Sequence, residues 1–169
     1  MTDPSVLARL QDAFWHRAEE LLYHHTNPWE LDEALTDWGY AIGPCEAQDL
    51  LGLSVVLDRS PERRTPVLRR MVAEGRLGKI GGVGFYRYPG GGGAVIDPLI
   101  EDLILEEAWF GKVTRTELSD EALVSRMNAT LADVLNRDAT EMAEPSRLSA
   151  LLSEAVGFPE TRDPEVLLG

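Results

Sequence analysis

The chain has 169 residues, of which 44% are hydrophobic, enough to bury one core or two small repeats that share a core. Its formal net charge of -13 makes nucleic acid and anionic membrane surfaces unfavourable partners, because both would repel it. A single cysteine excludes an internal disulfide and fits a reducing compartment. Since neither a secretory signal nor a membrane-spanning stretch is found, a cytoplasmic location is expected.

Proline placement and apolar periodicity predict the helices. Six of the ten prolines follow a capping or turn residue and precede a helix-like pattern, as at the first turn of many helices. They are Pro4, Pro28, Pro44, Pro66, Pro98 and Pro145. At residues 27–30 the pattern is that of a capping box, in which Glu30 is expected to reach back to the Asn27 amide. Apolar residues recur at three- and four-residue steps in segments 7–22 and 123–135, and no alternating run is long enough for a sheet. The fold class predicted is all-α.

Glycine dominates the middle of the chain. Nine of the fifteen glycines lie between Gly75 and Gly93, which predicts an irregular loop with residues 90–93 as a hinge between two halves. The first part of the chain has an amphipathic helix, a polar turn, a second helix and then Gly39-Tyr40. A faint copy of this pattern is found at residues 123–137, 145–155 and 157–159. From the residues alone, an internal repeat and a chance likeness of two amphipathic hairpins both stay open.

Glycine and histidine motifs lack the spacing that their chemistry needs. The glycines at 81–84 follow no predicted strand and open no helix, so a tight turn anchored by Phe85 and Tyr86 is preferred to a nucleotide-binding loop. His24 and His25 are adjacent on a helix and point about 100° apart, which makes them poor co-ligands for a metal.

The cysteine, the acidic pairs and the tryptophans also favour structural roles. Cys45 follows a glycine-proline turn in an apolar helix start and is expected to be buried and unreactive. The pairs Glu19-Glu20 and Glu106-Glu107 are expected on solvated helix faces. The four tryptophans are expected to anchor the core or an interface. They are Trp15, Trp29, Trp38 and Trp109.

Two stretches together resemble the C-terminal helical domain of 3-hydroxyacyl-CoA dehydrogenases. The first contains the turn Gly43-Pro44 and a helix over residues 49–53, and the second closes the glycine-rich loop at residues 82–86. The motif residues, for which a structural role is expected, are Gly43, Pro44, Asp49, Gly52, Gly82, Gly84, Phe85 and Tyr86. The resemblance covers nearly the full chain. It implies a helical bundle of two related repeats, the first at residues 1–93 and a degenerate second at residues 94–169, packed on the first.

The resemblance also indicates where chemistry is to be expected. In that family an N-terminal Rossmann domain binds NAD and holds the catalytic His-Glu dyad and a substrate-contacting Ser, and these 169 residues have no counterpart of it. The Asn that usually begins the helical domain falls at Ala8, Val83 replaces a basic loop residue, and residues 160–163 replace a glycine-rich sequence. No catalytic, cofactor-binding or metal-binding residue is therefore expected in this chain. NAD is implied on a partner domain, and the substrate contacts stay unknown.

Two functions follow as expectations. The first is an accessory or split subunit that completes the acyl-CoA cleft of a β-oxidation dehydrogenase and assembles with a separate NAD-binding chain. The alternative is a non-catalytic module that binds acyl-CoA or a protein, or forms dimers, and the loss of Asn at Ala8 favours it. Both imply a homo- or hetero-oligomer. Acyl chain length and the identity of the partner stay open.

Overall fold

A computed structural model describes residues 4–137 and 145–167, and these residues form eight α-helices. The helices are α1 (Pro4–His24), α2 (Pro28–Trp38), α3 (Pro44–Leu51), α4 (Leu53–Arg59), α5 (Val67–Ala73), α6 (Pro98–Phe110), α7 (Asp120–Arg137) and α8 (Pro145–Val156). Short 3-10 turns cover Lys79–Gly81, Pro89–Gly91 and Pro164–Leu167. Within the described ranges, β pairing is limited to three isolated bridges between residues 78 and 95, so the all-α prediction is confirmed. No helix of the described part is long and apolar enough to cross a bilayer.

The helix starts lie where the prolines predict them. Five of the six helices begin at the proline itself, and α5 begins at Val67 with Pro66 as its N-cap. At α2 the Asn27 side chain accepts a hydrogen bond from the Glu30 amide at 2.9 Å, as a capping residue should. The expected reverse contact is different, because the Glu30 carboxylate accepts from the Thr26 hydroxyl at 3.1 Å rather than from the Asn27 amide.

Gly52 interrupts the helix predicted over residues 49–53, and that prediction is wrong in this detail. Gly52 has φ 106, a conformation that glycine adopts without the steric cost of a side chain. The amide of Leu53 consequently turns away from helix α3 and donates to the Leu77 carbonyl at 3.0 Å. The break makes α3 and α4 two separate helices and attaches their junction to the segment before the glycine-rich loop.

Helix α1 lies at the centre of the bundle and packs against α3, α6, α7 and α8. The helix pair α1–α2 packs against the helix pair α7–α8, with α1 on α8 and α2 on α7. Between them lies an aromatic cluster of Trp38, Tyr40 and Phe158, with ring centroids 5.6–5.7 Å apart. The amide of Ala41 donates to the Gly157 carbonyl at 2.9 Å. This arrangement is the one that two facing, related hairpins would produce; the division at residues 93 and 94 stays a prediction.

Candidate functional site

The two sequence motifs meet around a pair of buried aspartates. Asp49, on α3, accepts a hydrogen bond from the Phe85 amide at the end of the glycine-rich loop, and Asp32, on α2, accepts one from the Cys45 amide at the start of α3. We call this cluster the aspartate cradle; it consists of Asp32, Asp49, Tyr86 and Tyr88. The structure brings Gly43, Pro44, Gly84 and Phe85 beside it. Gly82 lies at a turn, and its carbonyl accepts from the Tyr88 amide at 2.9 Å, whereas Gly52 lies at the break between α3 and α4.

Asp49 holds the end of the glycine-rich loop. Its two carboxylate oxygens accept hydrogen bonds from the amide of Phe85 at 2.9 Å, the amide of Tyr86 at 3.0 Å and the hydroxyl of Tyr88 at 2.7 Å. Burial raises the pKa of Asp49 from 3.8 to about 6, although these three donors oppose the rise. A side chain at Gly84 would collide with the Asp49 carboxylate, which is why the loop has glycine there.

Asp32 caps helix α3 from a neighbouring helix. Gly43, the N-cap residue, has no side chain, and Asp32 accepts from the amides of Cys45 at 2.9 Å and Glu46 at 3.0 Å in its place. The Tyr86 hydroxyl donates to the same carboxylate at 2.8 Å. Burial raises the pKa of Asp32 from 3.8 to about 7. Burial, together with the nearby Asp32 carboxyl, also raises the pKa of Tyr86. The Asp32 carboxylate thus joins the N-terminal end of α3 to Tyr86 at the end of the glycine-rich loop.

Arg76 and Asp97 extend the same network to helix α6. The Arg76 guanidinium donates to the Gly84 carbonyl at 2.7 Å and to the Asp97 carboxylate at 2.7 Å, and both side chains are buried. Asp97 also accepts from the Leu99 amide at 3.2 Å and so caps α6. The cap is predictable from the Asp-Pro pattern, but the sequence carries no signal for the arginine that pairs with it.

The cradle has the chemistry of a structural site. Each of its buried carboxylates accepts three hydrogen bonds from backbone amides and phenol hydroxyls of the same chain, which take up most of its acceptor capacity. A shallow cavity of about 330 Å³ adjoins Asp32 and Tyr86, and two further carboxylates, Glu33 and Glu46, line it. An anionic ligand would be repelled there.

A second groove of about 600 Å³ runs between α2 and α7. Its floor is formed by apolar side chains such as Ala34 and Val124, and its lining includes the carboxylates of Asp37, Asp120 and Glu121. This combination fits an apolar or cationic surface better than the phosphates of a coenzyme.

Of the acidic pairs, Glu19 contradicts the prediction of a solvated face. Its side chain is only 2% exposed, pairs with Arg63 at 2.6 Å and accepts from the Leu68 amide at 3.1 Å. The pairing residue comes from the segment after α4, which folds over α1 and supplies the cation that makes burial of the carboxylate tolerable. Glu106 and Glu107 both lie within 3.3 Å of Arg70 at the protein surface.

The histidines and the cysteine lie in places without a metal or nucleophile geometry. His16 contacts the Glu20 carboxylate at 3.0 Å, one helical turn away. His24 ends α1, and the His25 ring lies 2.9 Å from the Thr116 carbonyl. No group of three metal-ligating side chains occurs in the described residues. Cys45 is fully buried, and burial raises the pKa of its thiol well above the ordinary value, which disfavours the nucleophilic thiolate.

Ala8 occupies the place that the resemblance gives to the family's Asn. It lies in the first turns of α1, where its carbonyl accepts a hydrogen bond from Arg59 at 3.4 Å. The same arginine pairs with Asp12 at 2.9 Å and lies 5.6 Å above the Trp15 ring. A methyl group at this position offers a substrate no hydrogen bond.

Part of the chain matches a known domain family. Residues 6–88 match the family described as 3-hydroxyacyl-CoA dehydrogenase, C-terminal domain. The peroxisomal bifunctional enzyme of Danio rerio is 26% identical over 178 residues, which cover 91% of this chain and 25% of that protein. The chain therefore spans about a quarter of the length of this curated relative.

Solved structures share the fold. The dehydrogenase part of multifunctional enzyme 1 from C. elegans superposes with a TM-score of 0.72 at 21% identity, over 91% of this chain and 36% of that one. A 3-hydroxybutyryl-CoA dehydrogenase from Escherichia coli K12 gives a TM-score of 0.58 at 17% identity, over 97% of this chain and 52% of that one. At these identities the two structures establish a shared fold and nothing further.

Proposed function

We propose that this chain, which belongs through residues 6–88 to the C-terminal domain family of 3-hydroxyacyl-CoA dehydrogenases, is the helical accessory part of such an enzyme. It would complete an acyl-CoA cleft and assemble with an NAD-binding domain on a separate chain. The observation that carries the proposal is the family match over the very segment that contains the aspartate cradle and the loop closed on it. The hydrogen bonds of the cradle hold this loop against α2 and α3, and this order in the matched segment supports the proposal.

The proposal assigns no catalytic residue to this chain. Hydride transfer requires a nicotinamide held against the substrate and a base for the hydroxyl proton. The cradle carboxylates are occupied by internal donors, and the two grooves are lined by carboxylates that oppose an anionic coenzyme. NAD and the base are therefore assigned to a domain outside these 169 residues. The motif residues act on the shape of the domain, and the cytoplasmic location stays a prediction that fractionation of cells can test.

The test is reconstitution with a separately purified NAD-binding domain of a 3-hydroxyacyl-CoA dehydrogenase from the same organism. NADH formation from 3-hydroxybutyryl-CoA is measured for each component and for the mixture. The expected result is co-elution of the two chains and a rate well above that of the NAD-binding domain alone. The variant Gly84→Ala, which disturbs the loop, should reduce the gain, while Gly93→Ala, at a position with open space around it, should not. A mixture no faster than its NAD-binding component refutes the proposal.

A second candidate is a non-catalytic binding module descended from the same domain. The groove between α2 and α7 favours it, because an open groove of about 600 Å³ with an apolar floor is a feature of many recognition surfaces. Its acidic lining makes a protein a better fit than acyl-CoA. Titration calorimetry with acyl-CoA and with free CoA separates the cases: saturable heat without turnover supports coenzyme binding, and absence of heat with both leaves a protein partner.

A further inference from the structure

Helices α1 and α7 can be aligned residue by residue with an offset of 113 positions. The Arg17 side chain on α1 donates to the Thr130 hydroxyl on α7 at 3.0 Å, so two residues that this offset makes equivalent contact each other. Such a contact is expected where two related helices cross at a local twofold axis. The same offset pairs buried core residues along both helices: Leu10 with Leu123, Phe14 with Met127, Ala18 with Leu131, Leu21 with Val134 and Leu22 with Leu135. What packs on one face of α1 therefore indicates what the equivalent face of α7 can hold.

The segment at residues 59–63, which follows α4, covers one face of α1. Arg59 contacts this face at three points and Arg63 at a fourth. The residues contacted are Ala8, Asp12, Trp15 and Glu19. Because they are spaced three or four positions apart, they form a single stripe along the helix. An arginine-bearing segment thus lies along this stripe.

The equivalent stripe on α7 stays open in the described part of the chain. All four of its residues line the groove of about 600 Å³ between α2 and α7. They are Glu121, Ser125, Asn128 and Ala132. The stripe is about 16 Å long, and Ala34 and Trp38 of α2 line the groove beside it. The groove therefore has the position on α7 that residues 59–63 fill on α1.

Three carboxylates determine the charge of what the groove can hold. Asp37 of α2 and Asp120 and Glu121 of α7 line it, and all three residues are exposed. No cationic side chain is among the described residues that line it. Arg162 lies next to it but is engaged already, because its guanidinium lies 4.0 Å above the Trp38 ring and donates to the Trp38 carbonyl at 2.9 Å. A cationic occupant is favoured, and an anionic one is repelled.

We propose that this groove binds a basic, partly aliphatic segment of a partner protein. Its aliphatic side chains pack on Ala34 and Val124, and its cations pair with the three carboxylates. The chemistry is that of residues 53–65 of this chain, in which the aliphatic helix α4 is followed by arginines. The ion pairs differ from those on α1, because Ser125 stands in the place of Asp12, and the acidic groups come from neighbouring positions and from α2.

The proposal rests on the second candidate function, whose protein partner it assigns to a chemical class. A short segment in an open groove makes a small contact, so the Kd is expected at about 10–100 µM. Because ion pairs at the protein surface are screened by salt, the Kd should rise with ionic strength.

Fluorescence anisotropy of a labelled peptide titrated with the full chain tests the proposal. The peptide has the sequence of residues 53–65 with Asp58→Asn and Glu62→Gln, so that its three arginines are its only charged side chains. The control peptide has glutamate in place of the three arginines. Saturable binding is expected for the first peptide, and binding at least tenfold weaker is expected for the second.

Variants of the chain locate the binding site. Glu121→Lys reverses a groove charge and Ala129→Arg fills the groove, and each should raise the Kd about tenfold or more. The matched control is Asp102→Lys, which changes an exposed carboxylate on α6 outside the groove and should leave the Kd unchanged. All three positions are exposed, and thermal melts show whether the variants fold.

Several outcomes overturn the proposal. They are an absence of saturable binding, equal binding of the two peptides, and equal effects of Glu121→Lys and Asp102→Lys. Displacement of the peptide by butyryl-CoA would assign the groove to a coenzyme instead. A dimer in sedimentation velocity that Ala129→Arg abolishes would assign it to a second copy of the chain. None of these outcomes changes the reconstitution with an NAD-binding domain, so failure of this proposal and failure of the accessory role are distinguishable.

Discussion

Replacement of Asp49 by Asn tests whether the aspartate cradle holds the domain together. In Asp49→Asn one oxygen can still accept from the Phe85 amide, but an amide nitrogen now faces the amide of Tyr86, which keeps no acceptor. The Tyr88 hydroxyl can reverse its bond and accept instead. A buried donor without a partner costs about 1–3 kcal/mol, and loss of a charged acceptor adds to it. Relief from burying a charge offsets part of this, so we expect a loss of about 2 kcal/mol in the free energy of unfolding.

Urea denaturation at neutral pH, followed by circular dichroism, measures that loss. The variant Asp49→Ala removes all three acceptor contacts and should cost more than Asp49→Asn, by about 1–2 kcal/mol. Glu33→Gln is the matched control, because that side chain is exposed and its change should stay within about 0.5 kcal/mol. If Asp49→Asn is as stable as the control, the cradle is not what closes the loop.

Three further predictions use the same measurement. The pKa of Asp32 is raised from 3.8 to about 7, so the native state binds a proton that the unfolded state releases, and the stability contributed by this group falls as pH rises through that window. The free energy of unfolding lost in Asp32→Asn should therefore be larger at about pH 5 than at about pH 8.5. An equal loss at both pH values would contradict the shift. Arg63→Met leaves the buried Glu19 carboxylate without its cation and should lower the free energy of unfolding by about 3–5 kcal/mol. Arg59→Met, at a partly exposed pair, should lower it by less than about 1 kcal/mol. Similar losses for the two variants would contradict a buried ion pair. Gly84→Ala should cost about 1–3 kcal/mol because its methyl group meets the Asp49 carboxylate and the Gly78 backbone, while Gly93→Ala should be neutral; a neutral Gly84→Ala would show that the loop can shift.

Local signals were sufficient for the secondary structure. A proline sets its own φ and lacks the amide that would be unpaired in the first helical turn. The six prolines that follow a capping or turn residue therefore mark helix starts without reference to the rest of the fold. The Asn27 cap is local in the same sense. Two local predictions were wrong. The helix drawn through Gly52 breaks because the Leu53 amide donates to the distant Leu77 carbonyl, and the Glu30 carboxylate accepts from Thr26 rather than from the Asn27 amide.

Contacts between distant segments were not predictable in this way. Asp32 replaces a missing cap on α3 from thirteen residues upstream of Cys45, and Glu19 is buried because Arg63 reaches it from 44 positions away. Both aspartate and glutamate are usually solvated, so composition and periodicity assign them to a surface. The absence of a side chain at Gly43 was a usable clue, because the unpaired amides of a buried helix N-terminus need an acceptor from elsewhere.

The distribution of charge indicates where an acyl-CoA cleft can lie on this domain. Both grooves are lined by carboxylates, and coenzyme phosphates would be repelled from each. By contrast, five of the sixteen cationic residues lie between positions 59 and 70. Arg59, Arg63 and Arg70 pair with carboxylates of the chain, whereas the side chains of Arg64 and Arg69 are exposed. Arg59 connects this segment to α1 through the Ala8 carbonyl, the position to which the resemblance assigns the family's Asn. If this domain completes an acyl-CoA cleft, as proposed, the electrostatics favour the surface that carries Arg64 and Arg69 over either of the two grooves.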